Sequence, residues 1–334
     1  MDWRKQIRVN QYKTFFVIAI FFLIYFSIGM LVDMYIYSGH YPRATLSELF
    51  HEIITLQLFP LATCVTLAVA AISLFVSIIF YDKLMLLGTE YREITPETAQ
   101  NLTEKQLYNV IEELKIAAGL KFMPKVYLIE ANYMNAFASG YSEKSAMVAI
   151  TRGLIEKLNR AELQAVMAHE LSHIRHMDIK LTLMASLLAN LMLMVLDIFF
   201  YNALFSRRGG GRSRDSLAAI IILLRYLLPI INILLLLYLS RTREYMADAG
   251  CVELLRDNQP LANALIKIND DHSQNKEEYS ETYQQTPHEN VRREAYIFDP
   301  MQAGIESTSS LGDLFSTHPN IKDRLAAIGI KYKE

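Results

Sequence analysis

Charge is scarce in this chain. Only 20% of its 334 residues are charged while 52% are hydrophobic, and the mean hydropathy is +0.17. Leu, Ile, Phe and Met gather in a few blocks, which argues against a wholly water-soluble protein and for bilayer segments joined to a soluble part. An excess of one sign is also lacking: the net charge of -2 leaves no electrostatic footprint for nucleic acid. Cysteine is nearly absent. Cys64 lies in an apolar run and Cys251 in the polar last third, so there is neither a disulfide framework nor a cysteine-based zinc site, as suits a reducing compartment. No internal repeat and no glycine-rich phosphate loop is found.

Four apolar blocks are present. The first, residues 14–32, follows a basic head with Arg4, Lys5, Arg8 and Lys13. That combination resembles a signal peptide, but the apolar run is too long for a signal core and no small-x-small cleavage site follows it, so an uncleaved anchor is expected. The second block, 61–80, carries no charge and is long enough to cross a bilayer. Residues 33–60 between them read as a mixed-charge loop. Blocks three (181–201) and four (216–240) would form a hydrophobic hairpin, giving a four-helix transmembrane region.

The basic head favours a cytoplasmic N-terminus, which puts 81–180 and 241–334 in the cytoplasm if all four blocks cross. The loop at 206–214 resists this assignment, because its four arginines, Arg207, Arg208, Arg212 and Arg214, would lie outside. Arg225, within block four, is costly in lipid. Either the hairpin does not fully cross, or Arg225 faces protein or a wet cavity.

The polar regions read as α+β. A helix is expected over 103–118 with Thr103 as its cap, strands over 126–129 and 146–151, and a second helix over 160–177. The charged stretch 269–293 reads as a mobile loop, and a last amphipathic helix is expected over 319–328. The fold class is thus mainly α with a small β-sheet.

The chemistry concentrates in His169-Glu170-Leu171-Ser172-His173. On a helix, positions four apart differ by about 40° around the axis, so both imidazoles can bind one metal while Glu170 projects beside them as a base. A catalytic zinc needs a third protein ligand. The position six beyond the second histidine is Ile179, which removes the metzincin arrangement, and His176 is too near in sequence to be favoured. The better candidate is Glu244, one helical turn before Asp248. Glu244 would complete the ligand set, and Asp248 would accept the spare ring N–H of a ligating histidine.

Taken together, His169–His173, Glu244 with Asp248, Asn135-Ala136-Phe137-Ala138, and Thr317-His318-Pro319 with Arg324 resemble the HtpX family of membrane metalloproteases, relatives of the CAAX prenyl protease. The resemblance runs along nearly the whole chain, the short arginine-rich loop being the main departure. It implies a cytoplasmic zincin-like α+β domain, one zinc ion per chain, and a multi-pass enzyme of the bacterial inner membrane active in stress response and protein quality control. It further implies that Asn135, Ala136, Phe137 and Ala138 form the edge against which an extended substrate lies, and that His318 and Arg324 support the oxyanion and organise the site. Expected partners are the lipid bilayer and unfolded or misfolded polypeptides, with no nucleic acid. Two other readings stay open: a processing peptidase for one defined substrate, and a zinc-binding scaffold without hydrolytic role. The latter would have no use for Glu170.

Overall fold

The apolar first block lies inside a helix that outruns it at both ends. In the computed structural model, which describes residues 3–179, 197, 212–286, 292, 295–300 and 319–331, helix α1 spans Trp3–His40. Its stretch Gln11–His40 is, among the described residues, the helix long and apolar enough to cross a membrane. The chain divides into two compact units, one of Phe15–Ile79 with Met184–Leu234, the other of the remaining residues.

In the first of these units the expected loop at 33–60 is instead largely helical. α1 continues to His40 and a second helix, α2 (Leu46–Ile54), follows. The reason is a capping box: the Glu48 N–H donates to Thr45 Oγ1 at 3.3 Å and the Thr45 N–H to Glu48 Oε2 at 2.8 Å. Such a cap contributes about 1 kcal/mol. Leu49 and Ile53, four apart, then pack on Met30 and Met34. The second apolar block forms α3 (Leu61–Ile79). Its N-terminus is satisfied by Asp33 of α1, whose carboxylate accepts the N–H groups of Ala62 and Thr63, each at 2.8 Å, and the Thr63 hydroxyl at 2.7 Å. A buried carboxylate is stabilised there by the unpaired amides and by the helix dipole. The two helices touch at Gly29, where a Cβ would stand 2.5 Å from the Thr63 Cα.

Block three lies outside the described residues except for Asp197. Asp197 is ion-paired with Arg225, so the arginine of block four has a carboxylate partner. Block four and the segment carrying Glu244 belong to one helix rather than two.

The other unit holds a four-stranded sheet, preceded by the short helix α4 (Tyr81–Leu86). Strands β1 (Tyr91–Glu93), β2 (Lys125–Ile129), β3 (Ala136–Ser139) and β4 (Met147–Thr151) are ordered β1-β2-β4-β3. β2 and β4 pair in parallel, with an antiparallel strand at each side. The strands expected at 126–129 and 146–151 are therefore found. Helix α5 (Leu102–Ala118) is capped two residues ahead of the expected position: Asn101, not Thr103, accepts the Glu104 N–H at 2.9 Å. Asn is at least as good a cap as Thr, and Glu104 closes the turn by accepting the Gln100 N–H.

After α6 (Arg152–Lys157) comes α7 (Arg160–His176), opened by a capping box between Asn159 and Glu162. α7 is buried around nearly its whole circumference, between α5, the strand β3 and the later helix α9 (Gln259–Gln274). A helix so enclosed is a core element. Leu163, Val166, Met167 and Leu171 join Val126, Leu128, Val148 and Ile150 of the sheet in one apolar core, each such side chain contributing about 1.5–3 kcal/mol by its burial.

Helix α8 (Arg212–Leu255) carries Glu244 and Asp248 near its C-terminal end. The expected mobile loop at 269–293 is corrected over its first part. Residues up to Gln274 complete α9, and α10 (Lys276–Gln285) follows. Composition misled here, because Ile268, His272, Tyr279 and Tyr283 are buried at helical spacing beneath the charged face. A last helix, α11 (Ile321–Ala327), falls within the expected 319–328.

Candidate active site

α7 turns His169 and His173 to the same side, and their Nε2 atoms stand 3.2 Å apart. Glu244 reaches both from α8: Oε2 is 3.6 Å from His169 Nε2, and Oε1 is 3.6 Å from His173 Nε2. All three side chains are buried, and they are the described residues whose donor atoms converge as a metal-binding group. Zinc bonds of about 2.0–2.1 Å in a tetrahedral array put neighbouring donors roughly 3.3–3.5 Å apart. The donor spacing here matches that edge length.

Two small-residue faces bring α8 this close. Gly250 lies against Ser172, where a Cβ would come within 2.5 Å of the hydroxyl oxygen. One residue on, the Cys251 thiol donates to the Ala165 carbonyl at 3.2 Å. Ala247 of α8 and Ala168 of α7 are fully buried. His176 is buried as well, near Gly250.

Each imidazole is oriented from behind. Asp248 Oδ1 lies 2.9 Å from His169 Nδ1, which leaves Nε2 for a metal. His173 Nδ1 lies 3.1 Å from both oxygens of Asp178, a residue without a recognisable signal in the sequence. Asp178 arrives there because Met177 adopts the left-handed conformation, φ 57°, and ends α7 abruptly. The Asp178 N–H then donates back to the His173 carbonyl at 3.3 Å. A left-handed methionine costs about 1–2 kcal/mol, a local strain of the kind found where geometry serves a site. Arg243 stands 3.8 Å from Asp178 Oδ2.

Arg324, on α11, grips Asp248 with two bonds, Nε to Oδ2 at 3.0 Å and Nη2 to Oδ1 at 2.7 Å. Its Nη1 donates to the Ile297 carbonyl at 2.6 Å and stands 3.7 Å from Glu244 Oε2. Among the described residues, the buried carboxylates Glu170, Asp178, Glu244 and Asp248 lie in this region with the buried guanidinium groups of Arg243 and Arg324.

Glu170 is fully buried and neither of its carboxylate oxygens has a hydrogen-bond partner among the described residues. Burial pushes its carboxyl up to about 7, against the pull of the His169 and His173 imidazoles. An unpartnered buried carboxylate is costly. One titrating near neutrality beside a metal site is a general base in waiting.

Of the segment Asn135–Ala138, Asn135 immediately precedes β3 and Ala136, Phe137 and Ala138 lie in it, at the edge of the sheet and packed against α7. On its outer side Phe137 bridges Tyr296, and the Ile297 N–H donates to the Ala136 carbonyl at 2.9 Å. The candidates His318 and Thr317 lie outside the described residues.

Peptidase family M48 matches residues 101–330. A protein named "Protease HtpX homolog" from Helicobacter acinonychis is 38% identical over 328 residues, covering 98% of each chain. Another of that name from Streptococcus uberis is 31% identical, covering 96% of this chain and 97% of its own. The crystal structure of S. mikatae Ste24p is similar with a TM-score of 0.45 and 18% identity, over 80% of this chain and 57% of that one.

Proposed function

The chain belongs to peptidase family M48, within its HtpX group, and from that premise we propose how its residues cut a peptide bond and where. The protein is a membrane-bound zinc metalloprotease. In our reading His169, His173 and Glu244 hold one zinc ion, with Asp248 and Asp178 fixing the two imidazoles. A zinc ion in this cradle supplies Lewis acidity, lowering the pKa of a water and polarising the scissile carbonyl. Glu170 takes the proton of the attacking water and returns it to the leaving amine. Arg324 keeps Glu244 and Asp248 in place, and His318 donates to the developing oxyanion. The observation that carries this reading is the buried Glu170 carboxylate, without a hydrogen-bond partner among the described residues, beside three converging ligands.

An extended polypeptide adds to the β3 edge of the sheet, continuing past the Tyr296 bridge. Backbone pairing selects for unfolded chain rather than for sequence, which favours misfolded or damaged membrane proteins as substrates. The basic first turns of α1, its apolar continuation and the apolar α3 support a multi-pass protein of the bacterial inner membrane. Four spans, formed with the hairpin of blocks three and four, would put the catalytic residues on the cytoplasmic side. Labelling of a cysteine placed at Ser213 from each side of the membrane tests that topology.

The chemistry is tested by metal analysis and casein cleavage with the purified protein and its Glu170→Gln variant. The variant is expected to keep zinc and lose cleavage; undiminished cleavage would sink the mechanism. Cleavage of several unrelated unfolded proteins is expected, whereas cutting of only one would favour a dedicated processing peptidase.

A further inference from the structure

We propose that Asn135 is a positioning residue for the metal site, acting through the Ile297 carbonyl and Arg324. The inference rests on the site reading above.

The side chain of Asn135 is fully enclosed. Its backbone is pinned to the end of β4: the Asn135 N–H donates to the Thr151 hydroxyl at 2.9 Å, and its carbonyl accepts the Thr151 N–H at 3.0 Å. From this fixed point the amide reaches Phe298 in both directions. Nδ2 donates to the Phe298 carbonyl at 3.0 Å, and Oδ1 accepts the Phe298 N–H at 3.4 Å. A side-chain amide thus extends the sheet by one peptide unit, beside the bond from the Ile297 N–H to the Ala136 carbonyl. These bonds fix the segment that carries the Ile297 carbonyl.

That carbonyl accepts from Arg324 Nη1, the nitrogen 3.7 Å from Glu244 Oε2. The other guanidinium nitrogens are held by Asp248, which backs His169. Asn135 therefore sets the angle at which Arg324 meets two site carboxylates without touching either itself. A guanidinium is planar, so restraint at one nitrogen is passed to the others.

The test uses the full-length zinc-loaded protein in detergent. Asn135→Ala is expected to lower kcat on casein by about tenfold or more, and to weaken zinc retention against a chelator by a similar factor. KM should stay within about twofold of wild type. Arg324→Lys should add less to Asn135→Ala than it costs alone, since both act on one linkage. Where Asn135→Ala does not fold, Asn135→Asp serves: it keeps the shape and the acceptor but loses the donor to the Phe298 carbonyl.

A raised KM with unchanged kcat and zinc retention would make Asn135 a substrate contact and overturn the proposal. Effects additive with Arg324→Lys, or a lowered melting temperature alone, would overturn it too. If Glu170→Gln still cleaved, the metalloprotease chemistry itself would fall. If Glu170→Gln is inactive while the Asn135 variants match wild type, only this proposal fails.

Discussion

Arg324 and Asp248 are joined by two hydrogen bonds, at 3.0 and 2.7 Å, across 76 residues of sequence and with both side chains buried. The pair lies directly behind His169, so it serves orientation as well as charge balance. Buried ion pairs add little net stability compared with apolar residues, but breaking one partner strands the other.

That asymmetry separates fold from function. Asp248→Leu alone should destabilise the protein by about 3–5 kcal/mol, because Arg324 is left charged and enclosed. Combining it with Arg324→Met should recover much of the thermal stability while zinc affinity stays depressed about 10–100-fold. Melting temperature and chelator competition, measured on the same samples, report the two effects. Recovery of zinc binding in the double variant would show that the pair does not orient His169.

Gly250 offers a steric test of the crossing between α7 and α8. A Cβ there meets Ser172 Oγ at 2.5 Å and Cβ at 2.8 Å, so Gly250→Ala must push the two helices apart. An overpacking cost of about 1–3 kcal/mol is expected, together with weaker zinc binding, because Glu244 moves with α8. Ser172→Ala on that background should relieve part of the loss, measured as melting temperature and zinc content. Wild-type values for Gly250→Ala would mean that the crossing yields without moving the ligand.

His272 makes stability fall in acid. It is fully buried, its Nδ1 donating to the Ile268 carbonyl at 2.9 Å, and burial lowers its pKa from 6.5 to about 4. Between those values the unfolded chain binds a proton that the folded chain refuses, so stability is complete above about pH 6.5 and declines toward pH 4. Replacing the imidazole with a non-titrating ring, His272→Phe, should flatten that part of the pH–stability curve while lowering its plateau. Denaturation midpoints from pH 4 to 7.5 check this; an unchanged slope would assign the acid sensitivity to other groups.

What local periodicity encodes was legible from the chain itself. His169, Glu170 and His173 share a turn of one helix, so their spacing alone predicts convergence, and Glu244 with Asp248 repeats that logic one turn apart. The strands β2 and β4 follow from their β-branched runs. Where the reading went astray, local signals competed: Asn101 outranked Thr103 as a cap, and the charges at 269–285 concealed Tyr279 and Tyr283 on a buried helical face. Asp178 was out of reach because it depends on a left-handed turn at Met177. The ties of Arg324 to Asp248 and of Asn135 to Phe298 close only when segments 76 and 163 residues apart are brought together by the core. By itself the sequence determined the metal-binding helix and the reaction it serves. Only tertiary packing decided what holds those ligands still, because an orienting hydrogen bond is set by the distance between elements, which no local pattern contains.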